Sequence, residues 1–162
     1  MKKEVMQNDL DNKSLFSPVS LRKRYPTLQA TLLPALYEAQ KRFEWLSLEA
    51  LEAVSKELDV PKATVRGVAT FYSMYKKHPM GRHLIQLCTN ISCMLFGAER
   101  LVDIIKKHYG VEAGKTSDDG RFSLVIMECI GACGTAPAML VNTDFHENLT
   151  EENIIKILDE YK

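Results

Sequence analysis

The sequence predicts an α/β protein in which a small N-terminal helical bundle precedes a domain of alternating strands and helices. Two observations predict this class. Apolar residues recur with a helical period up to about residue 76, whereas short apolar runs typical of buried strands appear only after H-P-M-G at 78–81. We therefore expect a helical bundle at 21–78 and a mixed domain at 79–162, after a polar, mobile tail at 1–20.

Three segments with helical periodicity make up the expected bundle. The first starts at Leu28 and contains Pro34, which suits a first turn or a kink. The second, 48–58, follows Ser47, whose hydroxyl can cap the free amides of the first turn. The third follows Pro61 and spans 62 to about 76. Its positions expected to be buried are Val65, Val68, Phe71, Tyr72 and Tyr75.

The mixed domain begins with a strand and ends with a helix. We expect strands at 83–88, 122–128, 138–141 and, at an edge, 144–147, with helices at 94–109 and after Thr150. The 122–128 strand is apolar enough to be central in the sheet. Gly110 is the expected stop of the long helix, and Asp118-Asp119-Gly120 predicts a turn of the hairpin kind.

All four cysteines lie in two tight pairs, each beginning at or just after the end of a predicted strand. Cys88 and Cys93 are separated by four residues, and Cys129 and Cys133 are separated by three. Loops at the ends of neighbouring strands can converge, so the pairs can offer four thiolates to one small inorganic centre. The start of the predicted 94–109 helix would favour a charged thiolate at Cys93. The pattern therefore favours a [2Fe–2S] cluster.

Small and apolar residues surround both pairs. Gly131, Ala132 and Gly134 keep the second loop small, so that backbone amides can approach the sulfur atoms. An apolar shell that excludes water is expected from Leu87, Ile91, Met94, Leu95, Ile130 and Met139.

Other uses of four cysteines stay open at this point. A structural zinc site also takes four thiolates at these gaps, so spacing alone does not exclude zinc. Disulfides would need an exported chain, whereas the N-terminus has no apolar core of a secretion signal and its acids argue against a transit peptide. Plant-type ferredoxins share the four-residue gap but not the rest of the pattern.

A different function is suggested by residues 51–66, which read as a helix-turn-helix with Lys62, Thr64 and Arg66 on the second helix. The chain would then be a zinc- or cluster-bearing DNA-binding regulator. Against this, the formal net charge is zero, and the basic residues do not gather on one face. The second helix also continues into residues 69–72, which we expect to be buried. We therefore expect no nucleic-acid partner.

The sequence also limits which ligands and membranes the chain can engage. A glycine-rich loop that opens a helix and cradles phosphate is absent, so we expect that the chain binds neither NADH nor FMN by itself. Its longest apolar runs fall short of the roughly 20 residues that span a bilayer, so we expect no direct membrane insertion.

The cysteine loops themselves carry a specific resemblance. C-T-N-I-S-C-M-L-F-G-A and E-C-I-G-A-C-G-T-A-P-A-M-L-V-N are similar to the thioredoxin-like [2Fe–2S] subunit of the peripheral arm of respiratory complex I, the NuoE or NADH-dehydrogenase flavoprotein 2 family. Residues 25–75 resemble the N-terminal helices of that family in Y-P-T, A-L-Y-E-A-Q and V-A-T-F-Y-S-M-Y. The chain departs from the family at Glu44, usually Gly, and at Arg66, often an acid; both departures concern partner contacts rather than the cluster.

This resemblance implies a fold and a function. The second domain would be a thioredoxin-like [2Fe–2S] ferredoxin, with Cys88 and Cys93 on one iron and Cys129 and Cys133 on the other. Pro137, just before a strand, is a candidate for the cis proline of thioredoxins. The chain would act as an oxidoreductase only within NADH:quinone oxidoreductase, because it holds no complete active site.

The resemblance also implies partners and a location. The cluster would exchange single electrons with FMN on an NADH-oxidising subunit of the NuoF type. Through that subunit the chain would join the peripheral arm, in the cytoplasm at the inner face of the bacterial plasma membrane. The alternative is the equivalent subunit of an NAD-linked hydrogenase or formate dehydrogenase.

Overall fold

The computed structural model describes residues 24–162, and the chain divides into two compact units between Pro79 and Met80. The tail predicted at 1–20 lies outside the described residues. In the described part of the first unit, a short 3-10 turn at Gln29–Thr31 leads into α1 (Leu32–Phe43), followed by α2 (Leu48–Leu58) and α3 (Lys62–Phe71).

A local signal sets the start of α2 as predicted, whereas α1 begins at Leu32 rather than at Leu28. Pro34 lies in the first turn of α1, where its missing amide costs no hydrogen bond. The backbone amide of Ala50 donates to the Ser47 hydroxyl at 3.1 Å, which confirms Ser47 as the N-cap of α2. The cap thus satisfies one of the amides that the first turn leaves free.

The three helices pack around an apolar core. Its fully buried members include Leu36, Val54, Leu58, Val65 and Tyr75. The Tyr75 hydroxyl donates to the Leu33 carbonyl at 2.8 Å, and burial raises the pKa of Tyr75 to about 12.

Two aromatic residues expected in this core are on the surface instead. Phe71 is 80% exposed and Tyr72 is 38% exposed, so both predictions were wrong. Phe71 is the last residue of α3 and, two positions after Ala69, lies on the opposite side of the helix from the face that Val65 and Ala69 bury. Tyr72 follows the helix and has extended backbone angles. The chain thereby leaves the helix and brings Tyr75, not its neighbours, into the core.

The second unit contains a four-stranded sheet with the order β2-β1-β3-β4. The strands are β1 (His83–Cys88), β2 (Phe122–Met127), β3 (Met139–Val141) and β4 (Asp144–His146). β1 runs parallel to β2 and antiparallel to β3, and β3 is antiparallel to β4. The helices and this sheet confirm the predicted α/β class.

The prediction that the second strand is central was wrong, because β2 ends the strand order. Its apolar character has another cause. Residues 113–117 run beside its outer edge, where the Gly114 amide donates to the Leu124 carbonyl at 2.7 Å and the Ser117 amide to the Phe122 carbonyl at 2.8 Å. This segment covers the edge that would otherwise face water.

The predicted helix at 94–109 is two helices, α4 (Ile91–Leu95) and α5 (Ala98–Tyr109). Gly97 separates them with a φ of 91°, a left-handed conformation that glycine adopts without strain. Gly110 ends α5 as predicted, and Thr150 starts α6 (Glu151–Glu160) with a capping box that includes Asn153.

The apolar faces of these elements form one core. Ile85, Leu87, Leu101, Ile105, Leu124, Met139, Ile154 and Leu158 are among its buried members. Across residues 24–162, no helix has the length and apolar character required to traverse a bilayer.

Candidate metal centre

The four cysteines approach one another at one end of the sheet. Cys88 is the last residue of β1, and Cys93 lies five residues on, within α4. Cys129 and Cys133 lie in the loop that leaves β2 and returns to β3. Because β1 has β2 on one side and β3 on the other, this loop must pass the end of β1. The two cysteine loops therefore meet.

Several contacts join the loops. The Cys88 amide donates to the Ala138 carbonyl at 3.2 Å, and the Cys88 thiol donates to the Glu128 carbonyl at 3.8 Å. The Cys88 thiol also interacts with those of Cys93 and Cys129, and Cys93 lies near Cys133. All four thiols are free of disulfides, so all can act as ligands.

The environments of the two pairs differ. Cys88 and Cys93 are buried, with 3% and 2% of their surface exposed, whereas Cys129 and Cys133 are exposed. The first pair thus sits against the core, and the second pair faces solvent.

Opposing effects act on the buried thiols. Burial raises the pKa of Cys88, but hydrogen bonds from the backbone of Asn90 and Ile130 and from the thiols of Cys93 and Cys129 outweigh it, so its pKa is lowered. For Cys93, burial and the hydrogen bond with Cys88 raise the pKa, although a backbone hydrogen bond from Ala138 opposes them.

Backbone amides also reach the second pair. The Gly131 amide lies 3.4 Å from the Cys129 sulfur, in the manner expected of the small residues in this loop. Gly131 has a φ of 82°, which favours glycine at this position. Such amides stabilise negative charge on a sulfur atom, whether it is a thiolate or a metal ligand.

Two expectations about the surroundings were wrong. Cys93 lies inside the short α4 rather than at the start of the long helix, because Gly97 interrupts the helical run. The apolar shell is also incomplete. Leu87 and Met139 are buried, but the outward-facing members of α4 are exposed: Ile91 by 68%, Met94 by 45% and Leu95 by 75%.

The donor set suits an iron–sulfur cluster. Among residues 24–162, no three or more Cys, His, Asp or Glu side chains are arranged to hold a single metal ion. A [2Fe–2S] cluster asks for two thiolates at each of two irons. The thiol of Cys88 lies near those of Cys93 and Cys129, and the thiol of Cys93 lies near that of Cys133. Sequence patterns could not have revealed the amides of Asn90, Ile130 and Ala138, because every residue type except proline carries one.

Comparison with known proteins identifies the family. A family model described as thioredoxin-like [2Fe-2S] ferredoxin matches residues 20–162. The E subunit of NADH-quinone oxidoreductase from Rickettsia felis is 38% identical over 154 residues, which cover 93% of this chain and 92% of that protein. The corresponding E 2 subunit from Rhizobium meliloti is 40% identical over 139 residues, or 86% of this chain and 83% of that one.

A longer relative and a solved structure agree with this assignment. The mitochondrial NADH dehydrogenase [ubiquinone] flavoprotein 2 of Dictyostelium discoideum is 36% identical over 157 residues, and the match spans 95% of this chain and 64% of that protein. An NAD+-reducing [NiFe]-hydrogenase structure superposes with a TM-score of 0.70 at 23% identity, over 81% of this chain and 22% of that one.

At that identity the hydrogenase match supports the fold alone. The Ala136–Pro137 peptide is cis, which settles a question that the thioredoxin likeness raised and the sequence left open. The resemblance inferred from the cysteine loops is thus confirmed, and the family match makes this an iron–sulfur protein. The chain belongs to the thioredoxin-like [2Fe–2S] ferredoxin family, together with the E subunits of bacterial NADH-quinone oxidoreductases.

Proposed function

We propose that the chain is the electron-transfer subunit of an NADH:quinone oxidoreductase. The observation that carries the proposal is the match to the E subunit of such an enzyme, which covers nearly the full length of both proteins. The hydrogenase likeness concerns the fold only, so an NAD-linked hydrogenase or formate dehydrogenase has weaker support. Activity would belong to the assembled complex, in which this chain contributes the [2Fe–2S] site.

The proposed ligands are Cys88 and Cys93 at one iron and Cys129 and Cys133 at the other. A cluster held in this way supplies one-electron chemistry. The chain's own groups position the sulfur atoms and stabilise their charge. The backbone of Asn90 and Ile130 does so at Cys88, and the Gly131 amide does so at Cys129.

The partner would be an FMN-containing subunit that oxidises NADH. Through it the chain would join the peripheral arm of the enzyme, on the cytoplasmic side of the bacterial plasma membrane. We also propose a division of labour between the two parts of the chain, in which residues 79–162 hold the cluster and the helical bundle at 21–78 adds partner contacts.

An exposed apolar surface supports contact with such a partner near the cluster. Ile91, Met94, Leu95 and Phe96, here named the α4 patch, are between 45% and 75% exposed. Exposed apolar patches of this kind mark interaction surfaces. Because Cys93 belongs to the same helix, a flavin subunit that covers the α4 patch would lie close to the cluster.

Metal analysis tests the cofactor. Protein purified without oxygen is expected to contain about two iron and two acid-labile sulfide per chain, and to give a rhombic electron spin resonance signal after reduction. Colourless protein with one zinc and no sulfide would contradict the proposal.

Replacement of Leu95 with aspartate tests the partner surface. The charge would be desolvated in the interface, so we expect at least tenfold weaker capture of the flavin subunit. Phe145→Asp is the matched control, because Phe145 is also exposed, by 47%, but lies on β4 outside the α4 patch. Both variants should keep the visible spectrum of the cluster. Full capture by Leu95→Asp would contradict the α4 patch while leaving the cluster assignment intact.

A further inference from the structure

We propose that hydrogen bonds between the second cysteine loop and residues 147–149 position Cys133 as a cluster ligand. This set of contacts is named the Thr135 strap. The inference rests on the proposed function, because it takes Cys133 to be a ligand. Thr135 and Glu147 act as positioning residues and do not bind the cluster themselves.

Three hydrogen bonds make up the Thr135 strap. The Thr135 hydroxyl donates to the Glu147 carboxylate. The Asn148 amide donates to the Thr135 carbonyl at 2.8 Å, and the Leu149 amide donates to the Pro137 carbonyl at 3.0 Å. Thr135 is thus held through its side chain and its backbone, two residues after Cys133.

Packing holds the neighbours of Cys133, because Ala132 is buried and Ala136 packs against the buried cysteines, so hydrogen bonds matter most for Cys133 itself. Cys133 begins a short 3-10 turn, Cys133–Thr135, which the bond from the Thr135 amide to the Ala132 carbonyl closes at 3.1 Å. That bond lies within the loop, so it shapes the turn without attaching it to the sheet. Cys133, Gly134 and Cys129 are exposed, so packing does not hold them either.

The other side of the Thr135 strap is firmly anchored. Leu149 is 4% exposed and packs in the core of the second unit. The side-chain amide of Asn153 donates to the Asn148 carbonyl at 3.0 Å, and the same residue completes the capping box of α6 with Thr150. The bonds therefore connect an exposed ligand loop to the start of α6, a helix whose Ile154 and Leu158 are buried in the core.

Asn148 has a geometry that serves this connection. Its φ of 50° is left-handed, a conformation that asparagine tolerates better than most residues. In this conformation its amide points to Thr135 while its carbonyl accepts from Asn153. One residue thereby links the cysteine loop and the helix.

Loss of the Thr135–Glu147 bond should let the loop open more often. A cluster held by four thiolates is released only after a ligand leaves its iron, so more frequent opening at Cys133 speeds release. We expect Thr135→Val and Glu147→Ala each to release iron to an added chelator about fivefold faster than the unmodified chain. The measurement is the anaerobic decay of the visible absorbance of the cluster-loaded full chain.

Conservative and matched variants separate positioning from general damage. Glu147→Gln keeps an oxygen acceptor and should stay within about twofold of the unmodified chain. The double variant should release iron no faster than Thr135→Val, because removal of the hydroxyl already breaks the bond to Glu147. Thr143→Val and Glu152→Ala remove an exposed hydroxyl and carboxylate of the same unit outside the Thr135 strap, and should release iron at the unmodified rate.

These results test the Thr135 strap and the proposed function separately. Equal release rates for Thr135→Val, Glu147→Ala and the unmodified chain would overturn the Thr135 strap while the cluster assignment stands. If Glu147→Gln released iron as fast as Glu147→Ala, the lost hydrogen bond could not be the cause of the faster release. Absence of iron from the unmodified chain would instead overturn the proposed function. Faster amide hydrogen exchange at 128–138 in Glu147→Ala without cluster would support the Thr135 strap directly.

Discussion

Serine in place of Cys93 is expected to abolish stable cluster binding. Cys93 is 2% exposed and lies against Cys88 and Ala98, so a shorter side chain cannot reach an iron by a shift of the loop. The serine oxygen would also need to ionise in a buried place, where desolvation opposes the charged form. We expect the absorbance and the spin resonance signal of the cluster to fall by tenfold or more.

Serine at the exposed pair, Cys129 and Cys133, should weaken cluster binding less than serine at Cys93. In Cys129→Ser the loop is open to solvent, so an oxygen ligand can be hydrated and the loop can adjust. We expect this variant to keep part of its iron with an altered spectrum. Ser92→Ala, which changes the neighbour of Cys93 without touching a thiol, is the control and should load normally. Normal spectra in both cysteine variants would contradict the ligand assignment.

Alanine at Gly81 is expected to destabilise the second unit by about 2 kcal/mol or more, because new atoms would press on rigid backbone. A Cβ at this position would lie 2.9 Å from the Phe122 carbonyl carbon and 3.1 Å from the carbonyl oxygens of Gly120 and Arg121. The Gly81 amide also donates to the Ser123 hydroxyl at 2.8 Å, which ties the glycine to β2. A backbone shift that relieved this contact would therefore disturb the start of β1.

Chemical denaturation followed by circular dichroism measures this loss. Gly67→Ala is the matched control, since a Cβ there meets nothing within 4 Å and its φ is not left-handed. Gly67 lies within α3, so alanine should raise stability by about 0.5–1 kcal/mol. If Gly81→Ala were as stable as the unmodified chain, the backbone at Phe122 would have to move to accommodate the methyl group, and the prediction would be wrong.

Elements with strong local signals were predicted well. α2 was predicted from Leu48 to Leu58 because Ser47 caps its start and the apolar stripe repeats at helical spacing. The same holds for β1 at 83–88 and for the start of α6 behind Thr150. Such signals act between residues a few positions apart, so they can be read without knowledge of the fold.

Errors arose where distant residues decide the outcome. Phe71 and Tyr72 extend the apolar run of α3, yet Phe71 lies off the buried face of the helix and Tyr72 lies beyond its end. β2 is apolar enough to be central, yet residues 113–117 rather than another strand cover its edge. Periodicity describes which side chains are apolar, and it does not tell which surface is available to cover them.

The same distinction applies to the site. Residue types and spacing were enough to single out Cys88, Cys93, Cys129 and Cys133 and the family to which they belong, because thiolate chemistry requires cysteine itself. Folding alone decided that the first pair is buried and the second exposed, and that Thr135 meets Glu147. Those features depend on strand order and on loops that meet across the sheet, and no local pattern of side chains encodes them.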